Sequence, residues 1–228
     1  MTIAQNLSVV CSQIRAACSA ANRPSDSVKL IAVSKTKPAE MILEAYRAGQ
    51  RVFGENYVQE LLEKQAHPLL KDLDIEWHLI GHLQSNKAKY VVGNMAMIHT
   101  IDKASLAAEL SKRAIKKSVW ISALLEINIS AEASKHGLSE ATAIDEAKKI
   151  FELPNLSICG LMTIASPHRE RAAQEFQAMQ HLFEKIKSIS PTPEKFTELS
   201  MGMSSDFDLA IATGATMVRV GTAIFGER

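Results

Sequence analysis

Leu30-Ile31-Ala32-Val33-Ser34-Lys35-Thr36-Lys37-Pro38 is the stretch from which the fold is read. Apolar, partly β-branched residues run up to Val33, and such an unbroken run reads as a strand buried on both faces of a parallel sheet. Pro38 falls where a helix takes its first residue, since its fixed φ suits that position and its missing N–H is not needed there. Lys35 therefore stands at the carboxyl end of a strand, in a loop leading to a helix. Barrels and open α/β sheets place their chemistry at such loops. Beside a low-dielectric core the ammonium form is disfavoured and the neutral amine is a better nucleophile. Lys35 is thus a candidate for a Schiff base with an aldehyde or ketone. A snorkelling strand-end lysine and a point charge for phosphate are the other readings of this position.

Outward from this stretch the strand-then-helix pattern repeats. Ahead of it, Ile3, Leu7, Val10, Ile14 and Ala17 recur at spacings of three and four, an amphipathic helix over about 2–20. Asn22 to Ser27 reads as a polar turn. After it come a helix from Pro38 to Ala48, closed by Gly49, and a strand at 51–54 followed by Glu55-Asn56 and a helix to about 66. Further strands fall at 76–81, 97–101, 120–129, 156–163, 196–200 and 217–220. Asp102 is placed to cap a helix over 103–117, Ser139 starts one that ends before Pro154, and Ser204 or Ser205 starts one closed by Gly214. One helix shows Ala172, Phe176, Met179, Phe183 and Ile186 on a single face. About eight strands alternating with helices argue for a parallel sheet. Eight units in roughly 200 residues favour an α/β fold closed as a (β/α)8 TIM barrel over an open sheet, with an extra N-terminal helix. No linker or composition shift divides the chain, so residues 1–228 read as one domain.

Composition narrows the function classes. Of 228 residues, 46% are hydrophobic and 22% charged, which is ordinary globular usage. Twenty-six basic against 25 acidic side chains leave a net charge of +1, so charge makes no case for nucleic acid or membrane surface. No apolar run reaches a membrane span, and the N-terminus carries no secretory pattern. Cys11, Cys18 and Cys159 are few, odd in number and without metal spacing; they read as reduced thiols of a cytoplasmic protein.

In a barrel, the strand ends bring Lys35, Asn56, His78 to His82, Asn128, Met162-Thr163, Ser200 to Ser204, and Arg219 to Thr222 to one mouth. Two loops there carry phosphate signals. Ser200-Met201-Gly202-Met203-Ser204-Ser205-Asp206 opens a helix, whose free N–H groups favour an anion, though a plain serine N-cap reads equally well. Val220-Gly221-Thr222 follows the last strand, where barrels often bind phosphate; an ordinary turn is the other reading. Arg219, inside an apolar strand, needs a partner, either a ligand or a structural carboxylate. His78 and His82 lack the glutamate and the helix of an HExxH zinc site, so no metal is expected of them. Asp102, Glu126 and Glu198 are candidates for a polar network, and Lys64, Lys71, Lys116 and Lys117 read as solvated helix faces. A reactive lysine with a two-loop phosphate site suggests pyridoxal 5′-phosphate (PLP). A sugar-phosphate aldolase with a lysine Schiff base has the same ingredients.

Six blocks together carry a resemblance: Ala32 to Pro38, Phe53-Gly54-Glu55-Asn56-Tyr57-Val58-Gln59-Glu60, Trp77-His78-Leu79-Ile80-Gly81-His82-Leu83-Gln84-Ser85-Asn86-Lys87, Gly160-Leu161-Met162, Leu199 to Asp206, and Val218 to Gly226. In this order, over residues 32–226, they resemble the pyridoxal phosphate homeostasis protein family (the YggS/PROSC family). The resemblance implies a single barrel like the N-terminal domain of alanine racemase, the fold-type III PLP architecture. It implies that Lys35 is the Schiff-base lysine, that Ser204, Gly221 and Thr222 contact the phosphate with Ser200 nearby, and that Arg219 faces the pyridine nitrogen. Asn56 and His82 fall in its cofactor-pocket blocks. One departure is His136 in Ser134-Lys135-His136-Gly137, where the family often has a small residue; it bears on that loop and on Lys135 as a secondary lysine site.

The resemblance also implies a PLP-binding protein of intracellular vitamin B6 homeostasis, without established turnover. Its partners are then PLP itself and PLP-dependent apo-enzymes as recipients, and the chain is a monomer or weak dimer. The alternative is a PLP-dependent amino-acid racemase, which needs an acid/base on each face of the carbanion. Alanine racemase-like enzymes take their second group, a tyrosine, from a further domain. Here Tyr46, Tyr57 and Tyr90 all lie in the first half of a chain that stops after its last barrel unit. An arginine at the pyridine nitrogen also weakens the ring as an electron sink. The expectation is a carrier rather than an enzyme.

Overall fold

The structure is a computed structural model in which residues 1–132 and 135–227 are described. Helix α1 (Ile3–Ala20) leads into β1 (Lys29–Val33), α2 (Ala39–Arg47), β2 (Val52–Glu55), α3 (Val58–Ala66) and β3 (Glu76–Leu79). Then follow α4 (Ala88–Val91), β4 (Met97–Ile101), α5 (Ala104–Lys117), β5 (Ile121–Asn128), β6 (Leu138–Ser139) and α6 (Glu140–Phe151). The chain continues through β7 (Leu156–Met162), α7 (Arg169–Ser188), β8 (Glu198–Ser200), α8 (Phe207–Ala212), β9 (Met217–Val220) and α9 (Thr222–Phe225). All pairings are parallel. β1 to β5 are neighbours in sequence order, β5 pairs with β7, then β8 and β9 follow, and β9 pairs back on β1. The two-residue β6 hangs on β5 outside this ring, leaving eight strands in a closed (β/α)8 barrel.

The expected N-terminal helix is present. Thr2 caps α1 by accepting from the Gln5 N–H while the Gln5 side chain accepts from the Thr2 N–H. Its buried stripe is Ile3, Leu7, Val10, Ile14 and Cys18, with Ala17 only half-buried beside it. α1 packs against α2, α8 and α9, so it covers the seam where β9 meets β1. Asn6 Nδ2 ties it to the Ile224 carbonyl at 2.9 Å.

Local corrections follow from capping. Pro38 is the N-cap of α2, not its first residue, with extended backbone. Asp102 caps nothing: Lys103 is the N-cap of α5 and uses no side chain. α8 begins at Phe207, after Asp206, so Ser204 and Ser205 lie in the loop ahead of it. Ser139 caps α6 as expected, accepting from the Thr142 N–H at 3.2 Å, and α7 buries all five residues of its expected face.

The main core lies between the strands and the helices. Inside the barrel, alternation along each strand sends every second residue inward. Ile31, Val52 and Met217 form the lower apolar layer, with Met97 against them. Two residues on along the same strands come Val33, Gly54 and Arg219, and two further Asn56 and Gly221. The site is built by this counting.

Candidate functional site

A cavity of about 370 Å³ opens at the carboxyl ends of the strands. It is lined by Val33, Lys35, Asn56, Ile80, Ile164, Met203, Ser204, Ser205, Arg219, Gly221 and Thr222. This volume falls in the range of small-molecule sites, about 300–1,000 Å³. Lys35, Asn56, Ser204, Arg219, Gly221 and Thr222 were all singled out from the sequence. Ile80 and Met203 fall within the spans expected at the mouth, whereas the apolar walls Val33 and Ile164 were not singled out, although strand parity identifies Val33.

Lys35 sits in a turn just past β1, between Ser34, which is fully buried, and Thr36, which has a positive φ of 63°. The turn is anchored from α3. Lys64 Nζ donates to the Ser34 carbonyl at 2.7 Å, to Glu55 Oε1 at 2.8 Å and to Glu60 Oε1 at 2.6 Å. Ser34 Oγ donates to Glu55 Oε1 at 2.6 Å and the Thr36 N–H donates to Glu60. Lys64 is therefore not a solvated helix residue; only 7% of it is exposed. Burial raises the Glu55 carboxyl above its ordinary range against the pull of Lys64.

Arg219 is 4% exposed, and its hydrogen-bond partners within the protein are neutral groups rather than a carboxylate. Nη1 donates to Ser200 Oγ and Nη2 to the Thr163 carbonyl, both at 2.7 Å. A guanidinium has five N–H donors, so others remain for the cavity. Ser200 is fully buried and lies behind Arg219 rather than on the cavity wall. Since Ser200 Oγ accepts from Arg219, its own hydrogen suits His99 Nδ1, 3.1 Å away. His99 then carries its proton on Nε2 and donates to His78 Nδ1 at 2.9 Å. The chain is consistent with two neutral rings. Burial, with Lys29 beyond it, holds His78 down to about 3, and burial holds His99 well below its usual value. Burial also lowers Arg219 to about 10, which leaves it charged at neutral pH.

The opposite loops supply small polar groups. Thr222 Oγ1 donates to Ser204 Oγ at 3.3 Å, so the two expected phosphate loops do meet. Thr222 and Ala223 open α9, and their N–H groups have no intrahelical acceptor. Gly221 passes close to β1: a Cβ there would stand 3.1 Å from the Val33 carbonyl oxygen. Asp206 is used internally, accepting from the Met203 N–H at 2.6 Å.

His82 is outside this cavity and lines an adjoining one of about 190 Å³, with Glu126, Asn128, Lys135 and His136. The two share Asn56, Ile80 and Ile164. Gly81 is required here, because a Cβ would come within 2.2 Å of the Asn56 carbonyl oxygen. His82 stacks on His136, ring centroids 3.7 Å apart, and its Nδ1 lies 3.3 Å from Asp102 Oδ2. His78 and His82 do not meet, since His78 faces the barrel interior. Glu198 accepts from Thr216 and takes no part at the mouth. Of the departing loop, Ser134 lies outside the described residues. Lys135 Nζ donates to Ser130 Oγ at 3.0 Å and Glu132 Oε1 at 3.1 Å. The acidic and basic groups of this smaller cavity come from the loop after β3, from β5 itself and from the loop after β5, and no local spacing links them.

The donor set of the larger cavity fits PLP: a primary amine, hydroxyls and helix-opening N–H groups, and a buried guanidinium between apolar walls.

Comparison with known proteins agrees in fold and family. Residues 6–228 match the family model of the alanine racemase N-terminal domain. The chain is 46% identical over 230 residues to the pyridoxal phosphate homeostasis protein of Pasteurella multocida, covering all of this chain and 98% of that one. It is 41% identical over 233 residues to that of Aquifex aeolicus, covering 100% and 99%. Among solved structures, PipY of Synechococcus elongatus with PLP bound superposes at a TM-score of 0.86 with 39% identity, covering 99% of this chain and 100% of that one. Alanine racemase of Corynebacterium glutamicum shares the fold at a TM-score of 0.68 and 17% identity, with 99% of this chain on 61% of that one. A chain matched end to end at this identity, on this barrel, belongs to the pyridoxal phosphate homeostasis protein family.

Proposed function

We propose that this chain is a PLP-binding protein of vitamin B6 homeostasis that holds PLP on Lys35 and does not turn over a substrate. The observation that carries the reading is convergence: Lys35, Arg219, and the Ser204–Thr222 pair, from four separate loops and strands, line one cavity. The names of the relatives and the PLP bound in PipY support it.

When bound, PLP supplies an aldehyde that condenses with primary amines and a ring that withdraws electrons. Lys35 offers the amine that would hold it. The Ser204 and Thr222 hydroxyls and the N–H groups opening α9 would take the phosphate, with Gly221 letting the backbone approach. Asn56 lines the same cavity and would contact the ring, while His82 acts from the adjoining cavity and Ser200 only through Arg219. Arg219 is assigned to the ring nitrogen. A charged guanidinium has no acceptor and does not hand over a proton, so the ring stays a weak electron sink.

The same reading has residues 1–228 as one domain, monomeric or weakly dimeric, in the cytoplasm, with PLP-dependent apo-enzymes as recipients. No helix among the described residues is long and apolar enough to cross a membrane.

The test is the visible spectrum of the purified chain before and after borohydride, with peptide mass mapping. The expected result is a band that disappears on reduction and leaves a phosphopyridoxyl mass on Lys35. Lys35→Ala should lose that mass and keep the fold by circular dichroism. A reduced adduct on another lysine removes Lys35 from its role, and turnover of any member of an amino-acid panel restores the racemase reading.

A further inference from the structure

Three side chains from three different loops meet beside the smaller cavity, which His82 and His136 line. His82 follows β3, Asp102 directly follows β4, and His136 precedes β6. One ligand atom from each lies within 4.8 Å of the others. We propose that His82, Asp102 and His136 bind a divalent transition-metal cation of the zinc class, with Glu126 as the neighbouring carboxylate.

Unpaired atoms carry the inference. His82 Nδ1 and Asp102 Oδ2 are 3.3 Å apart, within ion-pair distance but without the geometry of a hydrogen bond. His82 Nδ1, Asp102 Oδ1 and Glu126 Oε2 are all buried with no hydrogen-bond partner among the described residues. Glu126 is only 7% exposed and lines this cavity. Buried polar atoms are nearly always bonded, so this group of orphans asks for one shared partner. Two carboxylates make that partner positive. Two imidazoles beside them select a borderline metal ion over calcium or magnesium, which prefer all-oxygen sites.

The spacing suits such an ion. Tetrahedral zinc, with bonds of about 2.0–2.2 Å, sets neighbouring ligand atoms about 3.3–3.5 Å apart. The His82–Asp102 edge already has this length. The His82 and His136 rings, however, lie 12° from parallel, and stacked rings do not both aim lone pairs at one ion. Binding has to break the stack by turning His136, which is exposed and able to move. Lys135, the cation in the same wall, is directed to Glu132 and Ser130. Lys103 stands near enough to bear on His82, as the remaining nearby positive charge.

The site does not depend on the PLP reading, and the test keeps the two apart. The whole chain carrying Lys35→Ala, stripped with a chelator, is titrated with Co²⁺ while the visible spectrum is followed. One equivalent should give ligand-field bands of tetrahedral strength, which Zn²⁺ then bleaches. Asp102→Asn, which keeps the shape and removes the charge, and His136→Ala, at an exposed position, should each weaken Co²⁺ about tenfold or more. Zn²⁺ calorimetry on the unsubstituted chain should show the same single equivalent. Absent bands would mean that water alone satisfies these atoms. Equal affinity in both variants would mean that the metal sits elsewhere; either result overturns the proposal.

Discussion

Arg219 shows what a residue's neighbourhood adds to its position. Its placement within an apolar strand demands a partner, but the partners come from Ser200 on β8 and Thr163 just after β7, and both are neutral. No spacing announces a hydroxyl and a carbonyl as the answer, because closure of the barrel alone brings them there. A guanidinium reaches both with a fork, whereas an ammonium is a single point. Arg219→Lys should therefore strand Ser200 Oγ or the Thr163 carbonyl inside the barrel. An unmade bond of this kind costs about 1–3 kcal/mol. Urea unfolding of the cofactor-free variant measures it, and a change under about 0.5 kcal/mol, the usual surface value, would mean that water replaces the lost contact. That Lys35, Ser204, Gly221 and Thr222 share one cavity was legible, because each lies at a strand end or loop whose backbone role is local. The meeting of His136 and Asp102 was not, since it is made by two loops far apart in sequence.

At the scale of an element, α3 is more than a cover for β2. Val58, Leu61 and Lys64 form its buried stripe, so the lysine occupies what the period marks as a core position. Composition suggested solvent for Lys64, and tertiary pairing overrode it. The lysine binds the carbonyl of Ser34 and the carboxylate of Glu55, and so holds the turn that presents Lys35. Lys64→Met should leave the fully buried Glu55 carboxylate with only the Ser34 hydroxyl. Breaking one side of a buried pair costs about 3–5 kcal/mol. The added substitution Glu55→Gln should recover part of that loss, because it removes the stranded charge. PLP release should quicken in Lys64→Met and remain quick in the double variant if the carbonyl bond to Ser34 is what fixes the turn. Thermal melts and the rate of loss of the visible band separate the two effects. A variant that melts early but releases PLP at the parental rate would detach the turn from this network.

For the whole molecule, the ring of eight parallel strands was readable from alternation and spacing, since each βα unit carries its own signals. What the barrel encloses was not. Period-2 counting from Met217 turns Arg219 inward, and pairing with the inward Gly54 turns His78 inward, but nothing local says that His78, His99 and Ser200 join into one line. Closing the barrel around these groups makes stability depend on pH in two opposed ways. An unfolded chain takes a proton on His78 as pH falls below about 6.5, whereas the folded chain holds this ring neutral down to about 3. The unfolded state then binds more protons, so the contribution of His78 is complete above pH 6.5 and is lost as pH falls. At 1.36 kcal/mol per unit this amounts to about 2 kcal/mol between pH 7 and 5. His99 acts in the same direction. Glu126 acts against them. Burial, reinforced by Asp102, raises it to about 7, so the folded state takes up its proton first and gains on acidification down to the ordinary carboxylate range. The parental profile should therefore be flatter than either component, and single variants should unmask them. His78→Asn keeps an acceptor where Nδ1 stood and cannot titrate. Its stability relative to the parent should rise by about 2 kcal/mol from pH 7 to 5. Glu126→Gln, measured with chelator present, should fall relative to the parent over the same interval by a similar amount. Denaturant titrations at the two pH values decide it. Parallel shifts in both variants would show that neither group changes its proton affinity on folding, and the buried relay behind Arg219 would then have to be wet.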